Sequence, residues 1–97
     1  MLVKSHKLRG SRILLAVCDS DILGKKFEQG DLQLDLTTDF YKGNETPEDK
    51  LCLLARGAYI ISLVGKESVG FALRNKLVDK ERVMVISSIP HAQVLSD

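Results

Sequence analysis

The sequence predicts an α+β fold in which a small mixed β-sheet is covered by helices in a single two-layer domain, residues 1–97. Two short runs, residues 13–17 and 83–86, are apolar at almost every position, which is typical of strands buried on both faces. Residues 46–49 read Thr-Pro-Glu-Asp, a combination that favours the start of a helix. A chain of 97 residues that is 44% hydrophobic can bury a core without disulfides or metals.

The first part of the chain is predicted to contain three strands and one short helix. A turn at Gly10 joins the first two strands, and Asp19 or Ser20 supplies the N-cap of the helix. Gly30 ends that helix, and the next segment alternates strictly between polar and apolar residues, which indicates a strand with one face in water. The predicted elements are strands over 2–8 and 12–18, a helix over 21–29 and a strand over 31–36.

The second part of the chain is predicted to contain two helices and a final strand. Thr46 is expected to cap the first helix, with Pro47 at its first position. The far end of this segment, residues 59–64, is strand-like in composition, so the sequence leaves helix and strand both open there. With a second helix over 66–75 and a strand over 82–86, the predicted order is ββαβααβ, with about four strands in the sheet.

Cysteine usage and the N-terminus favour a cytoplasmic protein. Cys18 and Cys52 lie inside apolar runs and neither belongs to a CxxC pair, so we expect two reduced thiols and no metal site. Residues 1–7 lack the continuous apolar stretch of a signal peptide, and no run approaches the ~20 apolar residues of a membrane span. No motif in the sequence indicates a cofactor, and no membrane partner is expected.

The net charge of +1 conceals an uneven distribution of charge along the chain. Residues 1–18 carry four basic residues and no acid, whereas residues 19–50 carry nine acids and four lysines. A basic arm can bind phosphate, but lysines also keep an exposed edge strand from pairing wrongly, and the second role is expected for Lys4 and Lys7. The acidic middle argues against a groove that wraps nucleic acid, so no DNA partner is expected.

The candidate catalytic residues follow the two apolar runs. Cys18 and Asp19 come directly after the first run, and His91 follows the second, in a loop or at a strand end because Pro90 interrupts a ladder. If the runs are neighbouring parallel strands, a thiol, a carboxylate and an imidazole meet at one edge of the sheet. Each has a structural alternative: Cys18 as a core residue, Asp19 as a helix N-cap, and His91 as an imidazole tied to a backbone carbonyl.

The candidate binding residues include an aromatic pair and a lysine after a turn. Phe40 and Tyr41 are two of only five aromatic residues and could stack on a base or fill a partner's pocket, or fold back as a lid on the core. Lys66 follows Gly65 in a segment similar to a helix-hairpin-helix turn, where backbone amides and a lysine contact a phosphate. Glu67 replaces the second glycine of that motif, which favours a tight turn between packed helices; the segment also lacks the upstream glycine of a phosphate-binding loop.

Six short segments, taken in order, form a recognisable set: residues 14–19, 23–25, 27–30, 40–43, 64–65 and 90–93. Together they resemble the small archaeal proteins catalogued as domain of unknown function 424, and the match extends over nearly the whole chain. Cys18-Asp19 and the segment Pro-His-Ala-Gln at residues 90–93 are its most specific parts. The resemblance implies an archaeal cytosolic protein with a compact α+β domain, and it implies no activity, so no catalytic residue is carried over.

Two main functional hypotheses follow. The first is a non-catalytic binding or adaptor module with a protein or RNA partner, with archaeal information processing as one setting, existing as a monomer or weak dimer. The alternative is a small enzyme that uses Cys18, Asp19 and His91. A direct nucleic-acid contact through the basic arm is a third reading. The candidate binding residues are Phe40, Tyr41, Lys66, His91 and Gln93.

Overall fold

The computed structural model describes residues 1–96. Its strands and helices are β1 (Leu2–Lys7), β2 (Ile13–Cys18), β3 (Lys26–Gln29), β4 (Leu32–Asp35), β5 (Asn44–Glu45), α1 (Glu48–Arg56), β6 (Ile60–Val64), α2 (Lys66–Arg74), β7 (Met84–Ile86) and β8 (Ile89–Leu95). Six strands form one sheet in the order β5-β1-β2-β6-β8-β7, and β3 pairs with β4 as a separate hairpin. The mixed α+β prediction is therefore confirmed, but the prediction of about four strands was wrong.

The centre of the sheet is the parallel pair β2 and β6, and every other pair of neighbours is antiparallel within the described chain. Helix α1 lies in the connection that returns the chain from β2 to the start of β6. It begins after Pro47, which occupies the N-cap position, while the Thr46 hydroxyl donates a hydrogen bond to the Asn44 carbonyl instead of capping. The parallel pair brings the carboxyl ends of β2 and β6 to the same edge of the sheet.

The short helix predicted over residues 21–29 does not form. A 3₁₀ turn at Ser20–Ile22 is followed by the β3–β4 hairpin, in which Gln29 pairs with Leu32 across a two-residue loop. Packing decides the outcome, because Phe27 and its neighbours fold onto the sheet beside Cys18. The helical pattern was too short to form a stable helix on its own.

The ambiguous residues 59–64 contain strand β6 rather than the end of helix α1. Helix α1 ends at Arg56, and the apolar segment that follows is inserted between β2 and β8. Isoleucine and valine fit the pleated surface between two neighbouring strands, so tertiary packing selects the strand.

Strand β8 was not predicted, and the expectation that His91 lies in a loop or at a strand end was wrong. Ser87 and Ser88 turn the chain from β7 to β8 with φ values of 51° and 69°, and neither is the glycine that signals such a turn. Pro90 is accommodated because its carbonyl accepts a hydrogen bond from the Gly65 N–H at 2.8 Å, beyond the end of β6. The position where proline lacks an N–H therefore lies beyond the end of β6, so no hydrogen bond of the β6–β8 ladder is lost.

The two most apolar runs are not neighbours, contrary to the expectation. Strand β7 lies at one edge of the sheet, and β6 and β8 separate it from β2. Met84 and Val85 in β7 are exposed, so an apolar run that looked like an interior strand forms the rim of the sheet. Composition alone does not distinguish a buried strand from an exposed edge strand.

The two faces of the sheet are covered differently. One face packs against α1 and α2, and its core includes Leu15, Leu63, Val69 and Phe71. The opposite face is covered by the hairpin, by Ile22 and by Tyr41 at the carboxyl ends of β2 and β6. Within residues 1–96, no helix is long and apolar enough to cross a membrane.

Candidate functional site

Asp19 connects the end of β2 to the start of α2. Its Oδ1 accepts hydrogen bonds from the Ser68 N–H at 2.8 Å and the Ser68 hydroxyl at 2.7 Å, and its Oδ2 accepts one from the Glu67 N–H at 2.9 Å. A buried carboxylate thus occupies the first amides of α2, where the helix dipole favours negative charge. Asp19 is a helix cap, but of a helix 48 positions further along the chain rather than of the segment that follows it.

Gly65 makes this cap possible. Its backbone has φ 110° and ψ 159°, a combination open essentially to glycine alone. A Cβ atom at this position would overlap the Asp19 carboxylate. The glycine therefore lets the carboxylate approach the end of β6 and the first turn of α2.

Cys18 is a core residue with an unreactive thiol. The residue is 0% exposed, and its Sγ donates to the Asp19 carbonyl oxygen at 3.3 Å. Burial, together with the negative charges of Asp19 and Asp21, raises the pKa of the thiol to about 11. At neutral pH roughly one thiol in 10⁴ is a thiolate, too few for a nucleophile.

Cys18 and His91 share an edge and a face of the sheet but do not meet. Cys18 pairs with Val64 across one strand boundary, and Val64 pairs with His91 across the next. Two strand spacings separate them by roughly 10 Å, and the Val64 side chain lies between. The two residues share an edge through β6 and the unpredicted strand β8, not through neighbouring apolar runs, and the geometry gives the thiol no base.

We expect the two cysteines to differ sharply in alkylation. With iodoacetamide at pH 8, the native protein should take up one label, at the half-buried Cys52, and a second at Cys18 only in denaturant. Burial keeps the reagent from the Cys18 sulfur, and the raised pKa leaves little of the reactive thiolate. Mass spectrometry of peptides from native and unfolded samples makes the measurement. Native labelling of Cys18 at the rate of Cys52 would contradict the core assignment.

His91 lies in β8 on the face of the sheet opposite the helices, beside a small group of polar side chains that includes Ser62 and Gln93. Its Nε2 atom is buried and has no hydrogen-bond partner among the residues described. Burial lowers the pKa of the imidazole, so the ring is neutral at physiological pH. The backbone-carbonyl contact expected of a structural histidine is not made by this nitrogen.

Gln93 and Tyr41 both approach Ser62, the single polar residue of β6. The Gln93 side-chain amide donates to the Ser62 hydroxyl at 3.3 Å, and the Tyr41 phenol lies near the same serine, which opposes the rise in the pKa of Tyr41. Burial raises the pKa of Tyr41, so its phenol stays protonated. The structure thus links two predicted binding residues through a serine that the sequence analysis did not select.

A cavity of about 610 Å³ borders this polar group. Beside it, Met84 and Leu95 project from the same face of the sheet and are 55% and 69% exposed. We name this surface the open face, and its residues are Ser62, Met84, His91, Gln93 and Leu95. The rim of the cavity adds one acid and one base, Glu81 and Arg82.

The aromatic pair lies over β1 and β2. Phe40 stacks on the His6 ring with 4.5 Å between ring centroids, and Tyr41 meets Phe40 edge-on. The Lys4 ammonium donates to the Asp39 carbonyl and holds the turn in place. Tyr41 therefore acts as the lid that was one of the two alternatives, whereas the Phe40 ring remains partly exposed.

Lys66 lies apart from the open face. It begins α2 and borders a cavity of about 420 Å³ together with Asp19, Asp21 and Glu67. The amides of Glu67 and Ser68, which a phosphate would need, already donate to the Asp19 carboxylate. The tight-turn interpretation therefore accounts for this segment, and a phosphate would meet an acidic surface.

Sequence reasoning missed three residues of the open face, Ser62, Met84 and Leu95. Ser62 is a hydroxyl inside the apolar run Ile60–Val64, and that interruption was a usable signal. Met84 carried no signal, because an edge strand and an interior strand of this length have the same composition. Among the described residues, no group of three or more side chains could hold a metal ion.

The comparisons with known proteins agree with the fold. A family model described as protein of unknown function (DUF424) matches residues 6–96. The chain belongs to the DUF424 family. The DUF424 chain is also similar to the crystal structure of an uncharacterized conserved protein from Methanopyrus kandleri, with a TM-score of 0.80 at 22% identity over 99% of this chain and 92% of that one. This likeness supports the α+β fold. No curated protein matches the sequence.

Proposed function

We propose that this DUF424 chain is a non-catalytic binding module that docks a protein partner on the open face. The observation that carries the proposal is the exposure of Met84 and Leu95 around a centre of uncharged polar groups. Ser62 and Gln93 are neutral, and His91 is neutral at physiological pH because burial lowers its pKa. An apolar surface with a few hydrogen-bonding groups and little charge is typical of the centre of a protein–protein interface.

The charges around the open face favour a protein over an RNA. Phosphate contacts require several lysines or arginines, whereas the lining of the 610 Å³ cavity contains one cation, Arg82, beside one acid, Glu81. Arginine and methionine are enriched in protein interfaces, and a Glu–Arg rim adds orientation rather than affinity. An experiment on this face must therefore distinguish a protein partner from an RNA partner.

The geometry gives no support to the enzyme alternative. The Cys18 thiol is buried with a raised pKa, the Asp19 carboxylate is engaged by α2, and His91 lies two strands from Cys18. General acid–base work needs groups within hydrogen-bond reach of one another or of a common substrate. Cys18 is instead accounted for by packing and Asp19 by capping, and His91 has no acid or nucleophile as a partner in the part of the chain that the structure describes.

The proposal includes a cytoplasmic setting in an archaeal cell. Two free cysteines suit a reducing compartment, and the structural neighbour comes from an archaeon. We propose a monomer or weak dimer in the absence of the partner.

Photo-crosslinking tests the docking surface directly. A photoreactive amino acid placed at Met84 on the open face, and separately at the part-exposed Leu73 on α2, serves as a matched pair of probes. In an extract of the source organism, we expect a discrete protein adduct from position 84 that resists ribonuclease and is absent from position 73. Leu95→Glu should lower the adduct yield about tenfold or more, because it places a charge in an apolar contact, while Leu73→Glu should not.

The other outcomes of this experiment oppose the proposal. An adduct destroyed by ribonuclease would assign the face to RNA, and an adduct of twice the chain mass in purified protein would assign it to self-association. Equal adducts from positions 73 and 84 would show that the labelling reports collisions and not a docking surface.

A further inference from the structure

Strand β1 has a free edge over most of its length. Strand β2 pairs with all six of its residues, whereas β5 on the other side pairs only with Leu2 and Val3. No strand within residues 1–96 pairs with the outer side of residues 4–7. Backbone donors and acceptors at such an edge can bind an additional strand.

Gly43 ends the β1–β5 ladder and directs the chain away from the edge. A Cβ atom at Gly43 would overlap the Val3 carbonyl and the Lys4 amide, so only glycine permits this crossing. The turn at residues 39–41, which precedes Gly43 in the chain, lies on the face opposite α1. The crossing leaves a groove between the outer edge of β1 and helix α1.

The groove has a volume of about 450 Å³ and a positive lining. Lys4, Lys42 and Lys50 border it from a strand, a loop and a helix, and because the Lys4 ammonium donates to the Asp39 carbonyl, Lys42 and Lys50 carry the charge of the groove. Its one acid, Glu45, is already bound by the N-terminal ammonium and by the Ser20 hydroxyl. Leu54 of α1, 37% exposed, adds an apolar contact.

From these observations we propose that the β1–α1 groove binds an acidic, extended peptide of a partner protein, which adds to β1 as a further strand. The peptide backbone pairs with residues 4–7, and its alternate side chains face Lys42 and Lys50 as carboxylates and Leu54 as an apolar residue. Edge lysines on β1 itself discourage indiscriminate pairing. Lys42 and Lys50 lie outside the strand, where they do not guard the edge, and because both border the groove they favour an acidic occupant.

This surface is separate from the open face, so its test is independent of the proposed function. The probe is a fluorescein-labelled octapeptide of alternating glutamate and valine, and the control is its lysine–valine counterpart. Fluorescence anisotropy should show binding of the acidic peptide that weakens with salt and no binding of the basic one. Backbone amide shifts should be confined to residues 4–7, 42–45 and 50–54.

Two matched modifications test charge and backbone pairing. The double variant Lys42→Glu/Lys50→Glu should weaken binding at least tenfold, whereas Lys25→Glu/Lys80→Glu, which makes the same charge change at exposed sites outside the groove, should change it less than threefold. N-methylation of alternate peptide amides should also weaken binding tenfold, because it removes the main-chain donors.

Three results would overturn the proposal. They are equal losses in the two charge variants, undiminished binding of the N-methylated peptide, and amide shifts centred on Met84 and Gln93. An oligonucleotide that shifts the groove residues when the acidic peptide does not would assign the groove to nucleic acid instead.

Discussion

Gly65→Ala is expected to lower the free energy of unfolding by about 4 kcal/mol, roughly half of the stability typical of a small domain. Alanine at φ 110° costs about 1–3 kcal/mol in backbone strain. Its Cβ would also displace the Asp19 carboxylate from α2, and losing those hydrogen bonds adds about 1–3 kcal/mol. The midpoint of thermal unfolding, measured by circular dichroism, should fall by roughly 15–30 °C.

Gly57→Ala is the matched control for this prediction. Gly57 follows α1 with φ −97°, and a Cβ there would meet nothing closer than the Leu54 carbonyl at 3.9 Å. We expect a change within about 0.5 kcal/mol of wild type. If the two alanine variants were equally stable, the fit between Gly65 and Asp19 would be looser than the structure has it.

Asp19→Ala is expected to lower the free energy of unfolding by about 3 kcal/mol. The substitution removes three hydrogen bonds to a buried carboxylate and leaves the buried Ser68 hydroxyl without this acceptor. The free energy of unfolding of Asp19→Asn should lie about halfway between those of wild type and Asp19→Ala, because the amide keeps one acceptor oxygen but points an NH₂ group at a backbone N–H. Chemical denaturation with a constant m-value makes the measurement.

The control for the capping role is Asp21→Ala, which removes an exposed carboxylate two residues away and should change stability by less than about 0.5 kcal/mol. A double-mutant cycle with Ser68→Ala isolates the side-chain contact, and we expect a coupling of about 1 kcal/mol. A coupling near zero, or an Asp21→Ala effect as large as that of Asp19→Ala, would mean that Asp19 acts through general charge and not as the cap of α2.

Elements with strong local signals were predicted from the sequence. Strands over 12–18 and 31–36 and a helix from residue 66 appear close to those positions, because alternation, continuous apolar runs and a glycine stop are local properties; the strand over 2–8, whose residues alternate poorly, also forms. The helix over 21–29 failed because nine residues with weak helical preference gain more by packing as a hairpin on the sheet. Strand β8 was missed because two serines adopt the left-handed turn where glycine would have marked it.

The candidate site was predicted in part. The sequence placed Cys18, Asp19 and His91 at one edge only on the premise that the two apolar runs are neighbouring strands; that premise was wrong, and His91 lies near Cys18 because the unpredicted strand β8 pairs with β6. Their roles were not predictable, since the cap formed by Asp19 joins residues 48 positions apart and the partners of a carboxylate depend on which helix folds beside it. Ser62 joined the site through its hydrogen bond with Gln93, a contact that arises because β6 and β8 are neighbours in the sheet.

By itself, the sequence determined the α+β class, the two free cysteines and the start of α2. These follow from hydrophobic periodicity, residue type and helix-end chemistry, all of which act over a few neighbouring residues. Only the tertiary structure decided that β6 lies between β2 and β8, that Asp19 caps α2, and that the β7 run is exposed. Strand order and side-chain partners depend on contacts between distant segments, and the free energy of those contacts exceeds the local preferences that a sequence displays.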